Sequence, residues 1–439
     1  MRYLSRIFQP VITIPKNAKI KNTEITCKSQ KLLLECGLIR PTTSGLFTIL
    51  PLARRALDKL EAQIRSCIEA AGGQRMSLPS LTASNLWEKT GRLQDVGPEL
   101  MKLEDRHGKR FLLAPTHEEA VADLMADVGP LSYKQLPLLL YQISNKYRDE
   151  HRPKHGLLRA REFSMLDAYG GHDTIDNALK VYDTVTDAYR QLFDRLQMPV
   201  HRVSAPSGDM GGSVSHEWQL PASAGEDQLA VCGNCSHAAL DGSGNCGNCG
   251  KATNTVNSIE VGHTFILGTK YSSPLNASYT PASGTAEPIV MSCYGIGITR
   301  LLAASLEALS SEKSLRWPKL IAPYTICIIG PKEGSKEWQC LGQESIARLH
   351  DDISLTTEHK GDIVIDDRHH MTIGKRLMMA DRMGYPYIIV CGKSTLDSPP
   401  RYELYSSTST SSTSVLVLTL PELVQYINGE RGDEKIKSN

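Results

Sequence analysis

Apolar residues recur at helical spacing over residues 53–70, where Leu57, Leu60, Ile64 and Ile68 mark one face and Gly72-Gly73 closes the run. A shorter helix is expected over 29–35, closed by Gly37, and Met76-Ser77-Leu78-Pro79 reads as a short strand. Further on, 111–113 reads as a strand and 117–126 as a helix. Residues 138–148 and 161–169 read as paired strands around a polar loop, and 175–196 as an amphipathic helix. Strands over 261–267 and 289–294 precede a helix over 297–309. Strands interspersed with helices, with little regular βαβ repetition, predict an α+β domain on an antiparallel sheet. After a linker at Arg316-Trp317-Pro318 the order changes to strand 324–329, helix 336–350, strand 362–365, helix 373–383 and strand 387–391. That alternation predicts a smaller α/β module. The run 406–414 contains only Ser and Thr and is expected to be a flexible hairpin loop.

Composition narrows the class. The chain has 439 residues, 41% of them hydrophobic, enough for two or three domains with a substantial core. No apolar run approaches the ~18–20 residues that cross a bilayer. Net charge is +1, so any attraction to nucleic acid must come from local patches. The N-terminus departs from this balance: residues 1–23 hold five basic side chains (Arg2, Arg6, Lys16, Lys19, Lys21) and no acid. A targeting or basic N-terminal segment is expected over 1–22, although Pro10 and Pro15 interrupt any helix there.

Cysteines fall into two sets. Seven are scattered through apolar stretches and fit buried thiols, whereas Cys232, Cys235, Cys246 and Cys249 form two CxxC pairs separated by ten residues. Two such pairs on opposed tight turns suit tetrahedral thiolate coordination of structural Zn2+ within 226–256, and Gly233, Gly247 and Gly250 are expected to shape the turns. Four thiolates leave no open coordination position, so no catalysis is assigned to this centre.

Three segments carry candidate chemistry. In Pro115-Thr116-His117-Glu118-Glu119, Thr116 and Glu119 have the spacing of a capping box, which leaves the Glu118 carboxylate free to meet a substrate ammonium group. Strand alternation places Gln142, Ser144, Lys146 and Arg148 on one face, and Arg161, Phe163, Met165 and Asp167 on one face of the following strand. Arginines there suit forked recognition of phosphate, and Phe163 suits stacking on a base. In Tyr294-Gly295-Ile296-Gly297-Ile298-Thr299-Arg300, glycines permit close backbone approach. Arg300 stands at a helix start, where a cation is unfavourable unless an anion sits beside it.

Taken in order, these segments resemble the catalytic domain of class II aminoacyl-tRNA synthetases. Arg148 and Glu150 match its motif 2, Gly295, Gly297 and Arg300 its motif 3, and Gly72-Gly73 through Pro79, with the preceding helix, its dimer-forming motif 1. PTHEE (115–119), YRDE (147–150), GLLRAREF (156–163), GGSVSHEW (211–218), EVGHTFILGTKYS (260–272) and CYGIGITR (293–300) are similar to the prolyl-tRNA synthetase family, with Tyr147 in place of the usual Phe and Ala160 in place of Gly. The resemblance implies ATP-dependent activation of proline, assisted by Mg2+, and transfer of the prolyl group to the 3′ end of tRNA(Pro). It assigns Thr116, Glu118, His263 and Asp167 to proline, with Glu118 facing the imino group. Arg148, Arg159, Phe163, Gly295, Gly297 and Arg300 go to ATP, and Arg148, Glu150 and Arg300 to catalysis.

The resemblance also implies a class II catalytic domain over 23–318, an anticodon-binding domain over 319–439 and a homodimer. Arg368 and Lys375 become candidate tRNA contacts, beside Asp381 in the module's most recognisable stretch. Bacterial members usually carry a large editing insertion between motifs 2 and 3, and the interval here has room only for the cysteine segment and core strands. That absence and the basic N-terminus resemble the mitochondrial form and imply the mitochondrial matrix, and Ser5–Pro10 (SRIFQP) resembles a segment that animal members keep in the mature chain. An accessory subunit of class II type, binding nucleic acid without activating an amino acid, could dispense with Arg148, Arg300 and Glu118. All three are present.

Overall fold

The computed structural model describes residues 3–10, 25–240, 242, 244–357, 359–407 and 413–429. Its N-terminal part holds helices α1 (Lys28–Glu35), α2 (Pro51–Ala70) and α3 (Glu118–Asp127), then strands β1 (Leu138–Tyr147) and β2 (Glu162–His172) and helix α4 (Ile175–Arg195). Strands β3 (His201–Ser204), β4 (Val214–Pro221), β5 (Asp227–Cys232), β6 (Thr253–Gly268) and β7 (Val290–Gly297) follow, and helix α5 (Ile298–Leu309) closes this half. The sheet runs β3-β4-β6-β7-β2-β1 with every neighbour antiparallel, and Gln74–Arg75 adds a parallel edge on β1.

Period-two alternation divides this sheet. On β2, Leu166 and Ala168 enter a core shared with α2, α4 and α5, while Phe163, Met165, Asp167 and Tyr169 point to the opposite face. α2 earns its place in that core through Leu52, Ala53, Ala56, Leu57, Leu60, Ile64 and Ile68, all buried along one stripe.

The smaller sheet has strands β8 (Ile326–Ile329), β9 (Ile363–Asp366), β10 (Tyr387–Val390), β11 (Arg401–Ser407) and β12 (Thr413–Thr419) in the order β9-β8-β10-β11-β12. Its first three strands are parallel and the last two form an antiparallel hairpin. Helices α6 (Gln343–Thr356), α7 (Ile373–Met383) and α8 (Leu420–Ile427) complete it. No helix among the described residues is long and apolar enough to cross a membrane.

The two halves are bolted together. Lys59 Nζ lies 2.7 Å from Asp362 Oδ2, Arg55 Nη2 donates to Gly361 O at 2.6 Å, and Arg316 Nη2 lies 2.8 Å from Asp381 Oδ1. Trp317 Nε1 donates to Met383 O, so the expected linker is docked against α7. The chain's first described residues join both halves: Tyr3 bridges Ile365 in parallel, Ser5 N donates to Asp367 Oδ1 at 2.9 Å, Leu4 is buried, and Gln9 Nε2 donates to Cys36 O.

Four expectations are corrected. Met76–Pro79 is not a strand; pairing is confined to Gln74–Arg75, after which Leu78 N turns to the side chain of Gln142. The helix expected over 336–350 is broken at Gly342 into Lys336–Cys340 and α6. The cap of α3 is His117, not Thr116, and no side chain caps it. Of Gly233, Gly247 and Gly250 only Gly250 has positive φ, and Ser236 takes the matching place in the first turn. The Ser/Thr run falls largely outside the described residues, as does most of the basic N-terminal segment.

Candidate active site

Register builds the floor of the main cavity. Glu217 pairs with His263, His263 with Gly295, Gly295 with Asp167, and Asp167 with Gln142, so one lateral row crosses five strands. Gly295 is the gap in that row. A Cβ there would stand 2.4 Å from Met165 Cε, so a larger residue would have to displace that methyl group and would take space from the cavity. The cavity above has a volume of about 390 Å³ and brings together Thr116, Glu118, Asp167, His263, Arg148, Phe163, Gly295, Gly297 and Arg300.

One end is buried and anionic. Glu118 and Glu119 occupy the first turn of α3, where the helix dipole favours negative charge, and Thr116 Oγ1 donates to Glu118 Oε2 at 2.6 Å. Glu119 accepts from Arg92 Nη1 at 3.0 and 3.1 Å, and the same nitrogen stands 3.5 Å from Glu118 Oε2. Asp167 lies 2.6 Å from Lys146 Nζ and also accepts from Tyr169 OH and Gln142 Nε2. Burial would raise the Asp167 pKa, but His117 and Lys146 outweigh it and hold the carboxyl below its usual range.

The other end is cationic and more open. Arg148 lies over the Phe163 ring, with the guanidinium carbon 5.2 Å from the centroid. Burial and the neighbouring Arg300 lower the Arg148 pKa against the pull of Glu260, Glu99 and Glu150. Arg300 donates through Nε to Leu158 O at 2.9 Å and stands 3.4 Å from Glu260 Oε2. Crowded cations of this kind are relieved by an anion.

His263 joins the two ends. It stacks on Phe265 at 3.9 Å, shares a hydrogen bond with Ser215 Oγ at 2.7 Å and stands 3.0 Å from Glu260 Oε1. Burial and the adjacent Glu260 raise the Glu217 pKa, whereas Glu260, despite burial, is lowered by His263 and Arg300. Ligand atoms of Glu217, Glu260 and His263 lie within 4.8 Å of one another.

Two expected residues stay outside the cavity lining. Arg159 Nε donates to Glu150 Oε2 at 2.8 Å and its Nη1 to Glu226 at 3.0 Å, so this pair is engaged with itself at the rim. In the smaller half, Arg368 is held by both oxygens of Asp366 and faces the crevice between the halves, whereas Lys375 is exposed in the first turn of α7.

The four cysteine sulfurs also lie within 4.8 Å of one another. Each pair sits on the same turn: Ser236 N donates to Cys232 O at 2.9 Å and Gly250 N to Cys246 O at 2.8 Å. Sequence reasoning missed Arg92, Lys146 as a buried ion, Glu217 and Glu260. The one available signal was that Glu118 had no structural duty in the expected cap.

Comparison with known proteins adds identity to geometry. Residues 101–309 match the model of the tRNA synthetase class II core domain (G, H, P, S and T), and residues 343–428 that of the anticodon binding domain. The chain is 46% identical over 415 residues to the probable mitochondrial proline–tRNA ligase of Homo sapiens, covering 92% of this chain and 86% of that protein. It is 34% identical over 416 residues to the proline–tRNA ligase of Sulfurimonas denitrificans, covering 89% of this chain and 92% of that one. Its fold is similar to that of the Giardia lamblia prolyl-tRNA synthetase solved with prolyl-adenylate, with a TM-score of 0.74 at 18% identity over 90% of this chain and 75% of that one.

Proposed function

The chain belongs to the class II proline–tRNA ligases, which activate proline with ATP and charge tRNA, and we propose how its residues divide that work. The opposed charge of the two cavity ends carries the assignment. Glu118, assisted by Thr116, takes the imino nitrogen of proline, and His263 and Asp167 line the same pocket. Arg148 takes the α-phosphate with adenine on Phe163, while Arg300 and Arg159 take the outer phosphates, Arg159 by exchanging Glu150 for the ligand. Gly295 and Gly297 keep the backbone low beneath the nucleotide.

No protein nucleophile is needed. The proline carboxylate is ionised at neutral pH and attacks the α-phosphorus; the bond to the β-phosphate oxygen breaks and pyrophosphate leaves. Arg148 and Arg300 are positioned to stabilise the charge that develops. The tRNA 3′-hydroxyl then attacks the prolyl carbonyl and AMP departs. The carboxylates of Glu260 and Glu217 offer the hard oxygen donors that suit Mg2+, and burial, then the neighbouring Glu260, raises the Glu217 pKa. When bound, Mg2+ neutralises phosphate charge.

The cysteine quartet holds structural Zn2+ on this reading, supported by its paired turns and clustered sulfurs. Metal analysis should find about one zinc per chain; a metal-free, folded preparation made without chelators would remove the assignment. The catalytic domain spans about 23–318 and the anticodon-binding domain 319–439. Lys375 is the better placed tRNA(Pro) contact, and Arg368 reaches RNA only by leaving Asp366. A homodimer through the motif 1 segment is supported by exposed Leu81, Leu103 and Val128 in the segments that follow it. The relatives' mitochondrial names support a matrix location, and the contacts of Tyr3, Leu4, Ser5 and Gln9 support keeping residues 3–10 in the working enzyme.

The deciding experiment is ATP–pyrophosphate exchange with each of the twenty amino acids. Exchange with proline alone is expected. Exchange driven by another amino acid, or by none, would overturn the assignment.

A further inference from the structure

The anionic end contains two separate clusters of buried charge, and they are balanced differently. Lys146 and Asp167 form a one-to-one pair. In the second cluster, two neighbouring carboxylates share one cation: Glu118 is 2% exposed, Glu119 0% and Arg92 3%. The cation is not shared equally. Arg92 Nη1 reaches both oxygens of Glu119, at 3.0 and 3.1 Å, but only one of Glu118, at 3.5 Å. Thr90 Oγ1 also donates to Glu119, at 3.1 Å.

The guanidinium is fixed where it stands. It lies over the Trp87 ring at 4.6 Å and near the Tyr271 ring at 5.4 Å, and its Nη2 meets Met210 Sδ at 3.2 Å. The remaining groups facing the carboxylates are neutral or already engaged. Tyr271 donates to Met210 O, Tyr169 donates to Asp167, and His117 shares its Nδ1 with Gln142. Cys293 stays a thiol, its pKa raised by burial and by Glu118. Burial opposes the charge on Arg92, but Glu119, Glu118 and Tyr271 outweigh it and keep it cationic. Lys146 also acts on Glu118 through space but is held by Asp167 at 2.6 Å. By formal charge, two carboxylates then face one guanidinium, in a pocket too dry to leave the excess unmatched cheaply.

We infer that Arg92 and Glu119 are positioning residues for Glu118: Glu119 occupies the guanidinium, so that the Glu118 carboxylate stays aimed into the cavity and free to take one substrate cation. This rests on the reading that Glu118 receives the imino nitrogen of proline. Arg92 without Glu119 would close on Glu118 and compete with the substrate. Two carboxylates without Arg92 would share a proton. The arrangement thus selects a ligand with a single positive charge at this end and penalises neutral analogues.

The test compares four variants by KM for proline and for ATP in pyrophosphate exchange, with thermal melts as a check on folding. Glu119→Gln, nearly isosteric, should raise KM for proline by at least about tenfold while KM for ATP holds. Arg92→Met leaves two adjacent carboxylates to share a proton, so KM for proline should become pH-dependent over a range in which that of the parent is flat. The double variant Arg92→Met/Glu119→Gln restores one unmatched carboxylate and should bring KM for proline back towards the parent value. A packing role would make the double variant worse than either single one. Glu118→Gln is the control. If it weakens proline and Glu119→Gln does not, or if the double variant shows no rescue, the inference is overturned and the reading of Glu118 stands. If Glu118→Gln leaves KM for proline unchanged, that reading falls and takes the inference with it.

Discussion

The two ends of one cavity handle charge in opposite ways. At the proline end, Glu118, Glu119, Arg92, Asp167 and Lys146 are all nearly inaccessible and nearly matched, with one carboxylate left over. At the nucleotide end, Arg148 and Arg300 remain partly open to solvent and lean on Glu260. A small amino acid offers one charge and little surface, so its recognition needs a dry site in which a single contact is strong. A polyphosphate brings several charges and its own counterions. Half-open arginines can meet it by exchanging one set of carboxylates for another.

This contrast can be broken from either end. Arg148→Ala should have the largest effect, cutting proline-dependent exchange by roughly 10²–10³ while the melting curve stays in place, since the residue answers charge developed during reaction. Activity within a fewfold of the parent would remove it from the phosphate site. Lys146→Met should act on the fold instead. It strands Asp167 in the interior and should cost about 3–5 kcal/mol in urea unfolding, with Lys146→Met/Asp167→Asn recovering most of it.

Acid titration sharpens the same point. Because the folded Asp167 pKa is depressed, its contribution to stability is present above the unfolded value of about 3.9 and is lost as pH falls through the folded value. Asp167→Asn should therefore flatten the acid limb of the stability profile, and an unchanged limb would show that the pair contributes nothing there. The smallest effect is expected from salt. Raising ionic strength from about 0.05 to 0.3 M should increase KM for ATP by two- to threefold and hardly move KM for proline, because only the open end is screened. Equal sensitivity of both constants would erase the distinction between the ends.

Alternation and motif spacing located the strands and their polar faces, Gln142 and Lys146 on one strand and Phe163 and Asp167 on the next, because side-chain period is a local property. The row from Glu217 to Gln142 was not legible, since register joins residues far apart in the chain, Asp167 and Gly295 among them. Lys146 read as part of a polar row, and its burial goes with the Asp167 carboxylate 2.6 Å away. Arg92 lay outside every motif. A lone arginine after a glycine has no period, and its partners appear only when α3 is packed against it. The expected Thr116–Glu119 cap failed for the same reason: Arg92 claims Glu119 from outside the helix.

The bridge between Tyr3 and Ile365 joins a short segment to a strand more than 360 residues later. During synthesis the segment around Tyr3 must wait for its partner until β9 has emerged. A contact of such sequence separation closes an enormous loop and forms late. The segment then works as a latch that closes late on the seam between the two modules. Refolding should accordingly show docking of this segment lagging behind formation of the central sheet.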